Sequence, residues 1–231
     1  CKLFGKFRTK NLKSTNPVCV GDNVVIKITD NQTPQIEQIN GRDNYLIRKS
    51  VKLSKQYHII ASNIDLCFLI ITIKNPETST MFIDRFLAST FSYNIETVLL
   101  FNKIDQIDNE EKKELNNLIS IYKNAGYNCM EISGKKNINI DKLKKIMINK
   151  SCVFSGHSGV GKSTLINKLD SSIDIKTSPI SESNLSGQHT TTFSEMYDLE
   201  FNSRIIDTPG IKGFGLYDVK NNELRDFFKE F

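Results

Sequence analysis

Residues 151–170, with the sequence SCVFSGHSGVGKSTLINKLD, decide the fold of this chain. An apolar run leads into the motif G-x-x-x-x-G-K-[ST] at residues 156–163, and a segment with helical spacing of apolar residues follows. This order predicts a strand, a phosphate-binding loop and a helix whose N-terminus faces the phosphates. The residues predicted to contact a nucleoside triphosphate here are Gly156, His157, Ser158, Gly159, Val160, Gly161, Lys162, Ser163 and Thr164. Lys162 is expected to reach the β- and γ-phosphates, and the Ser163 hydroxyl is expected to ligate Mg²⁺.

The chain from about residue 59 onward has the pattern of a doubly wound α/β domain with a mostly parallel sheet. Continuous apolar runs alternate with segments of helical periodicity from about residue 59 onward. The predicted strands are 66–71, 97–101, 129–132, 195–199 and 204–206, and the predicted helices are 82–91, 108–124 and 140–148. Residues 1–58 show short strands and turns instead, which predicts a small β-barrel of the oligonucleotide-binding kind. We therefore expect this barrel, a nucleotide-binding domain over residues 59–220, and the start of a C-terminal helix over residues 221–231.

Charge is unevenly distributed along the sequence. The 231 residues carry 31 Lys and Arg against 26 Asp and Glu, a net charge of +5. Residues 1–60 hold eleven basic and four acidic residues, a balance of +7, so the remainder sums to −2. A basic first quarter predicts contact with nucleic acid, although a solvated lysine-rich surface would give the same balance.

The cysteines and the apolar runs indicate the compartment. The five cysteines are scattered without metal-ligand spacing, and most lie in apolar runs. This pattern is typical of free thiols in a reducing cytoplasm. The longest apolar run, residues 66–71, is too short to cross a membrane, so no membrane contact is expected.

Two further motifs predict that the base is guanine. Asn102, Lys103 and Asp105 form the pattern N-K-x-D directly after a predicted buried strand. An Asp carboxylate accepts two hydrogen bonds from guanine N1–H and the 2-amino group, whereas adenine has no donors there. Asn102 is expected to brace the neighbouring loops. After the next predicted strand, Ser133, Gly134 and Lys135 resemble the S-[AG]-K motif that contacts guanine O6.

Two motifs with the character of nucleotide-dependent switches complete the set. Asp207 and Gly210 belong to a D-x-x-G motif after the last predicted strand, where Asp207 would hold Mg²⁺ through water and Gly210 would sense the γ-phosphate. Residues 187–192 include Thr190 and Thr191, either of which is a candidate Mg²⁺ ligand. The base-binding motifs precede the phosphate loop, whereas ordinary GTPases begin with that loop. The order therefore indicates a circularly permuted GTPase domain.

Taken with the preceding barrel, the sequences GHSGVGKST and GxHTTT resemble the ribosome small subunit-dependent GTPase A family over essentially the whole chain. The resemblance implies binding of GTP and GDP, GTP hydrolysis stimulated by the small ribosomal subunit, contact with its rRNA, and a role in late subunit maturation. We expect the protein to act as a monomer. The family also implies a first barrel strand and a C-terminal zinc-binding domain, and we expect neither within these 231 residues, either because the sequence is a fragment or because the protein is reduced. Since the sequence ends at Phe231, zinc is not assigned to it.

One catalytic residue follows from the resemblance. Ile211 stands where many GTPases have a water-orienting Gln, and the family implies His189 as the substitute. His189 could equally be a loop residue that touches RNA or solvent. Two other hypotheses stay open from sequence: a GTP-gated RNA-binding module with negligible turnover, and a permuted GTPase of large-subunit assembly. A metabolic kinase would leave N-K-x-D and both switch motifs unexplained.

Overall fold

The computed structural model describes residues 2–3, 14–29, 33–49, 57–173, 175, 194–208 and 224–229. The strands are β1 (Lys2–Leu3), β2 (Val24–Lys27), β3 (Gln35–Ile39), β4 (Tyr45–Lys49), β5 (Tyr57–Ser62), β6 (Leu66–Ile71), β7 (Thr97–Phe101), β8 (Asn128–Glu131), β9 (Ser151–Ser155), β10 (Glu195–Leu199) and β11 (Ser203–Asp207). The α-helices are α1 (Thr80–Ser92), α2 (Asn109–Asn124), α3 (Ile140–Met147) and α4 (Lys162–Leu169). Short 3-10 helices cover Ile104–Gln106 and Leu224–Phe227. None of the helices in these ranges is long and apolar enough to cross a membrane.

Six strands form one sheet in the order β10-β11-β9-β6-β7-β8. All neighbours are parallel except β10 and β11, which form an antiparallel hairpin at one edge. This confirms the predicted α/β fold with a mostly parallel sheet. Strands β6, β7 and β8 are added in one direction across the sheet. Strand β9, which follows them in sequence, pairs with the other side of β6, so the strand order reverses between β6 and β9. Nucleotides bind outside the carboxyl ends of strands where the order reverses in this way.

The apolar strands are buried on both faces of the sheet, as their unbroken hydrophobic sequences predict. All six residues of β6 are buried, and alternate residues enter two separate clusters. One cluster contains Cys67, Leu69 and Ile71 together with residues of α1 and α2. The other contains Leu66, Phe68 and Ile70 together with residues of α3 and α4. Helices therefore cover both faces of the sheet.

Helix α2 illustrates how local sequence sets an element's start. The Asp108 carboxylate accepts hydrogen bonds from the backbone N–H groups of Glu110 and Glu111, both at 2.9 Å. Glu111 in turn accepts the Asp108 N–H at 3.0 Å, which completes a capping box. Asp108, placed inside the predicted helix 108–124, is therefore its N-cap. At the other end of the chain, residues 224–227 form a 3-10 turn within residues 221–231, where the start of a helix is predicted.

The described N-terminal strands form two small sheets, and the oligonucleotide-binding barrel stays a prediction. The first sheet has the order β1-β3-β2, and the second pairs β4 with β5 in antiparallel fashion. Strand β5 runs through the predicted domain boundary at residue 58. Its Ile60 and Ala61 share a core cluster with α1, so this strand packs against the nucleotide-binding domain.

A buried ion pair joins the N-terminal region to the end of β5. Arg42 Nε and Nη2 donate to the two carboxylate oxygens of Asp22 at 2.6 and 2.7 Å, and the Asp22 side chain is 1% exposed. The Ser62 hydroxyl and the Cys19 N–H also donate to this carboxylate, at 2.7 and 2.9 Å. Burial alone would raise the pKa of Asp22, but the hydrogen bonds from Arg42, Ser62 and Cys19 outweigh it and hold the pKa below its usual value.

Replacing Asp22 with Asn should lower the free energy of unfolding by about 3 kcal/mol, because Arg42 would lose its charged partner in a mostly buried site. Urea titration measures the loss, and the exposed Asp43→Asn should change stability by less than about 0.5 kcal/mol.

Since the Asp22 pKa is depressed, the stabilisation that Asp22 provides is present above the unfolded-state pKa of about 3.9 and is lost as pH falls through the folded value. Equal stability of the two variants would contradict this role.

Candidate nucleotide-binding site

The predicted motifs converge at the carboxyl edge of the parallel sheet. The phosphate loop follows β9, the N-K-x-D residues follow β7, Ser133 comes shortly after β8, and Asp207 ends β11. Because neighbouring parallel strands end at the same edge, segments distant in sequence come together here. The site is therefore assembled by topology and not by local sequence.

The phosphate loop turns sharply between β9 and α4. Gly156 has a φ of 151°, and a Cβ built on it would lie 2.7 Å from the Ile70 carbonyl oxygen. A side chain at this position would therefore push the loop away from β6. The loop closes on Lys162, whose Nζ donates to the carbonyls of Gly156 and His157 at 3.1 and 3.2 Å. These carbonyls hold the ammonium over the loop, where the β- and γ-phosphates are predicted to lie.

Lys162 and Asp207 interact electrostatically at the centre of the site. Burial lowers the pKa of Lys162, and the charge of Asp207 opposes that shift. Asp207 is 1% exposed, and the next residue, Thr208, donates its hydroxyl to the Phe154 carbonyl at 2.8 Å. Strand pairing and this hydrogen bond fix the carboxylate beside the phosphate loop. A cationic group and an anionic group are thus held where phosphates and a divalent cation would meet.

Asn102 links three segments of the site. Its Nδ2 donates to the Val160 carbonyl at 2.8 Å, and its Oδ1 accepts the Gly134 N–H at 3.3 Å. The side chain therefore ties the phosphate loop to the turn after β8. It is 6% exposed, so this amide is shielded from water and both bonds are retained in the folded state. This is the bracing that the sequence predicts for Asn102.

Gly161 lies against the Asn102 amide, and a side chain at Gly161 should disturb both the phosphate loop and this amide. Its φ is +98°, and an added Cβ would lie 2.6 Å from Asn102 Nδ2. Gly161→Ala should destabilise the nucleotide-free protein by about 2 kcal/mol, because it combines backbone strain with a displaced buried amide. Thermal or urea unfolding measures the effect. Gly41→Ala is the matched control, since a Cβ there meets nothing within 4 Å, and a loss of similar size at Gly41 would contradict the mechanism.

Lys103 spans the site above the phosphate loop. Its Nζ donates to the carbonyls of Gly159 and Asn75 at 2.7 and 2.5 Å. Burial lowers the pKa of Lys103, and Asp105 counteracts part of that shift. The aliphatic stem crosses from the N-K-x-D segment to the phosphate loop, so a base bound beside Asp105 would lie along it.

Asp105 is oriented by the turn after β8. The Ser133 hydroxyl donates to Asp105 Oδ1 at 2.5 Å and accepts the Lys136 N–H at 3.0 Å. Ser133 is fully buried, so its hydroxyl holds one carboxylate oxygen in place. The half-buried carboxylate is thereby pre-oriented for a ligand with paired N–H donors. Ser133 therefore orients the carboxylate that is predicted to bind the base, and its own predicted contact with the base stays a prediction.

The other predicted residues divide between the site and unplaced segments. The Val160 side chain is buried in the core, so Val160 contributes only backbone to the site. Ser163 and Thr164 lie in the first turn of α4, and Lys135 is exposed in the turn after β8. His189, Thr190, Thr191 and Gly210 lie outside the described residues, so their predicted roles stay predictions.

Sequence reasoning missed two contributors. Asn75 offers only its backbone carbonyl to Lys103, and backbone contacts have no residue-type signature. Phe82, on α1, lies against the His157 ring with centroids 3.9 Å apart. This stacking attaches the phosphate loop to α1. The predicted contact of His157 with the nucleotide stays a prediction, and in the structure its ring lies against Phe82. The only sequence signal for Phe82 is its place on the apolar face of a predicted helix.

Comparison with known proteins is consistent with this geometry. The model of the RsgA GTPase family matches residues 39–217. The small ribosomal subunit biogenesis GTPase RsgA of Christiangramia forsetii is 55% identical over 234 residues, which cover 100% of this chain and 74% of that protein. The protein of the same name from Flavobacterium johnsoniae is 54% identical and covers 100% and 72%.

Solved structures give the same result at the level of the fold. The crystal structure of YjeQ from Thermotoga maritima matches with a TM-score of 0.76 at 32% identity, covering 100% of this chain and 73% of that one. YloQ, described as a circularly permuted GTPase, matches with a TM-score of 0.67 at 24% identity, covering 96% and 66%. At that identity the YloQ match supports the fold alone.

Proposed function

The chain belongs to the RsgA GTPase family, and on that premise we propose that it hydrolyses GTP as a maturation factor of the small ribosomal subunit. The observation that carries the proposal is the turn after β8, where Ser133 donates to Asp105 and the next residue, Gly134, donates to Asn102. Asn102 in turn donates to the Val160 carbonyl of the phosphate loop. These hydrogen bonds join the predicted guanine site to the phosphate loop. No simple phosphate-binding enzyme needs this connection, whereas a protein that must distinguish GTP from ATP does.

The residues present suit a bound Mg²⁺. Mg²⁺ prefers oxygen ligands and is bound by one or two protein groups together with substrate phosphates and water. The Ser163 hydroxyl in the first turn of α4 and the buried Asp207 carboxylate are such groups. Thr190 or Thr191 is proposed to add a further oxygen. When bound, Mg²⁺ would offset charge on the β- and γ-phosphates.

The chain's own residues bind and orient the triphosphate. Lys162 would exchange its carbonyl partners, Gly156 and His157, for phosphate oxygens, and the phosphate charge would favour its protonated form. The N–H groups of the loop and the N-terminus of α4 would face the same phosphates. Asp105 would accept both guanine donors while Ser133 holds it in place.

The partner follows from the relatives and from the charge distribution. The two curated relatives are named small ribosomal subunit biogenesis GTPases. In this chain the +7 balance of residues 1–60 would supply contacts to rRNA phosphates. We propose that the protein acts in the cytoplasm as a monomer, with the N-terminal region docking on RNA while the nucleotide site times release.

The test is GTP hydrolysis by the full chain with and without purified ribosomal subunits. Small subunits should stimulate turnover, and the stimulation should fall steeply as salt rises, because phosphate contacts release counterions. Large subunits should have little effect. Equal stimulation by large subunits, or none by small subunits at low salt, would contradict the proposed partner while leaving GTP hydrolysis itself intact.

A further inference from the structure

A local concentration of positive charge lies on the nucleotide-binding domain, away from the basic N-terminal region. Residues 133–150 hold one acid, Asp141, and six lysines: Lys135, Lys136, Lys142, Lys144, Lys145 and Lys150. The chain after residue 60 sums to −2, so this excess is invisible in the overall balance. The excess belongs to helix α3 and the segments on either side of it.

Helix α3 separates these lysines by role. Ile140, Leu143 and Met147 face the core, which leaves Lys142 and Lys145, three residues apart, exposed on the outer side. Lys144 instead lies over the Phe201 ring, 5.7 Å from its centroid. Lys136 is exposed in the turn that precedes the helix. We define Lys136, Lys142 and Lys145 as the α3 basic face.

The α3 basic face carries three positive charges, and one acid, Asp141, lies on the same helix. None of its three lysines forms an ion pair with a carboxylate in the part of the chain that the structure describes. Helix α2 packs in the other core cluster, on the opposite face of the sheet, and its three lysines are balanced by three glutamates. Of these two helices, the one with excess positive charge is therefore α3.

We propose that the α3 basic face binds backbone phosphates of rRNA when the protein docks on the small subunit, as a second RNA contact besides the N-terminal region. The inference rests on the proposed function. Lysine ammonium groups on flexible stems suit phosphate oxygens and carry no base specificity, so the contact positions the domain. Lys136 belongs to the same turn as the predicted base site, since its backbone N–H donates to Ser133, which holds Asp105.

The test compares matched neutral variants of the full chain. Lys142→Gln/Lys145→Gln removes two charges from α3, and Lys136→Gln added to this pair removes three. Lys113→Gln/Lys123→Gln removes two exposed charges from α2 and is the control. Affinity for purified small subunits is measured from low to high salt with a non-hydrolysable GTP analogue. Unchanged binding of GTP analogue to the free α3 and α2 pairs confirms that each has folded. A urea unfolding curve serves for the triple variant, because Lys136 lies in the turn that holds Asp105.

The α3 pair should bind small subunits on the order of tenfold more weakly, and the slope of log K against log salt should fall by about two, or by about three for the triple variant. The α2 pair should match the wild type. Unchanged binding by the α3 variants, or an equal loss in the α2 pair, would overturn the inference. Weaker binding with an unchanged salt slope would also overturn it, by indicating a protein partner. Failure of the wild type to bind small subunits would contradict the proposed function. If the wild type binds and the α3 variants bind equally well, only the inference about the α3 basic face is contradicted.

Discussion

Replacing Asp105 with Asn should reverse the base preference of the site from guanine to xanthine. The Asp105 carboxylate is pre-oriented by Ser133 and would accept two hydrogen bonds from guanine. Hydrogen bonds to a charged group contribute about 1.5–3 kcal/mol each, so losing two should weaken GTP binding roughly 10²- to 10⁴-fold. Xanthosine triphosphate has a 2-oxo group that can accept from the new amide, so it should become the better ligand. Competition between the two nucleotides for a labelled analogue measures the change.

Ser133→Ala is the matched control for this prediction. It removes the group that orients Asp105 but leaves the carboxylate, so GTP should bind more weakly while remaining preferred over xanthosine triphosphate. A nucleotide preference that is the same in wild type and Asp105→Asn would show that this carboxylate does not contact the base.

The parts of the fold that the sequence predicts well are those with strong local signals. The six buried residues of β6 and the capping residues of α2 carry their structure in their own side chains. Strand β5 crosses the predicted boundary at residue 58, and its Ile60 and Ala61 belong to the same buried cluster as residues of α1, which is distant in sequence. No periodicity within residues 57–62 states which domain that strand packs on.

The candidate site shows the same division. Asn102, Asp105 and Lys162 belong to motifs whose side chains carry the chemistry, and the structure brings their segments together as the motifs predict. Asn75 contributes a carbonyl and Phe82 contributes a ring surface, and neither role selects a residue type strongly. The hydrogen bonds between the loops depend on which strands are neighbours in the sheet. The sequence indicates this strand order only through the permuted order of the motifs.

The stacking of His157 on Phe82 also bears on catalysis. An imidazole held 3.9 Å, centroid to centroid, from a ring of α1 is engaged in packing the phosphate loop. His58, a third histidine, pairs with Thr15 at 2.9 Å in the N-terminal region. His189 is the residue that the family resemblance implies for the attacking water, because Ile211 stands where many GTPases have a water-orienting Gln.

Replacing His189 with Ala should lower subunit-stimulated GTP turnover on the order of a hundredfold or more, the usual effect of losing a positioned acid–base group. GTP affinity should change little, because the group acts on the transition state and not on ground-state binding. His157→Ala should lower turnover much less, through loosened packing on Phe82. Single-turnover hydrolysis at saturating small subunits, measured together with subunit affinity, separates the two histidines. Similar losses in both variants, or a His189→Ala defect that disappears once subunits saturate the protein, would make His189 a docking residue and leave the water without a histidine base.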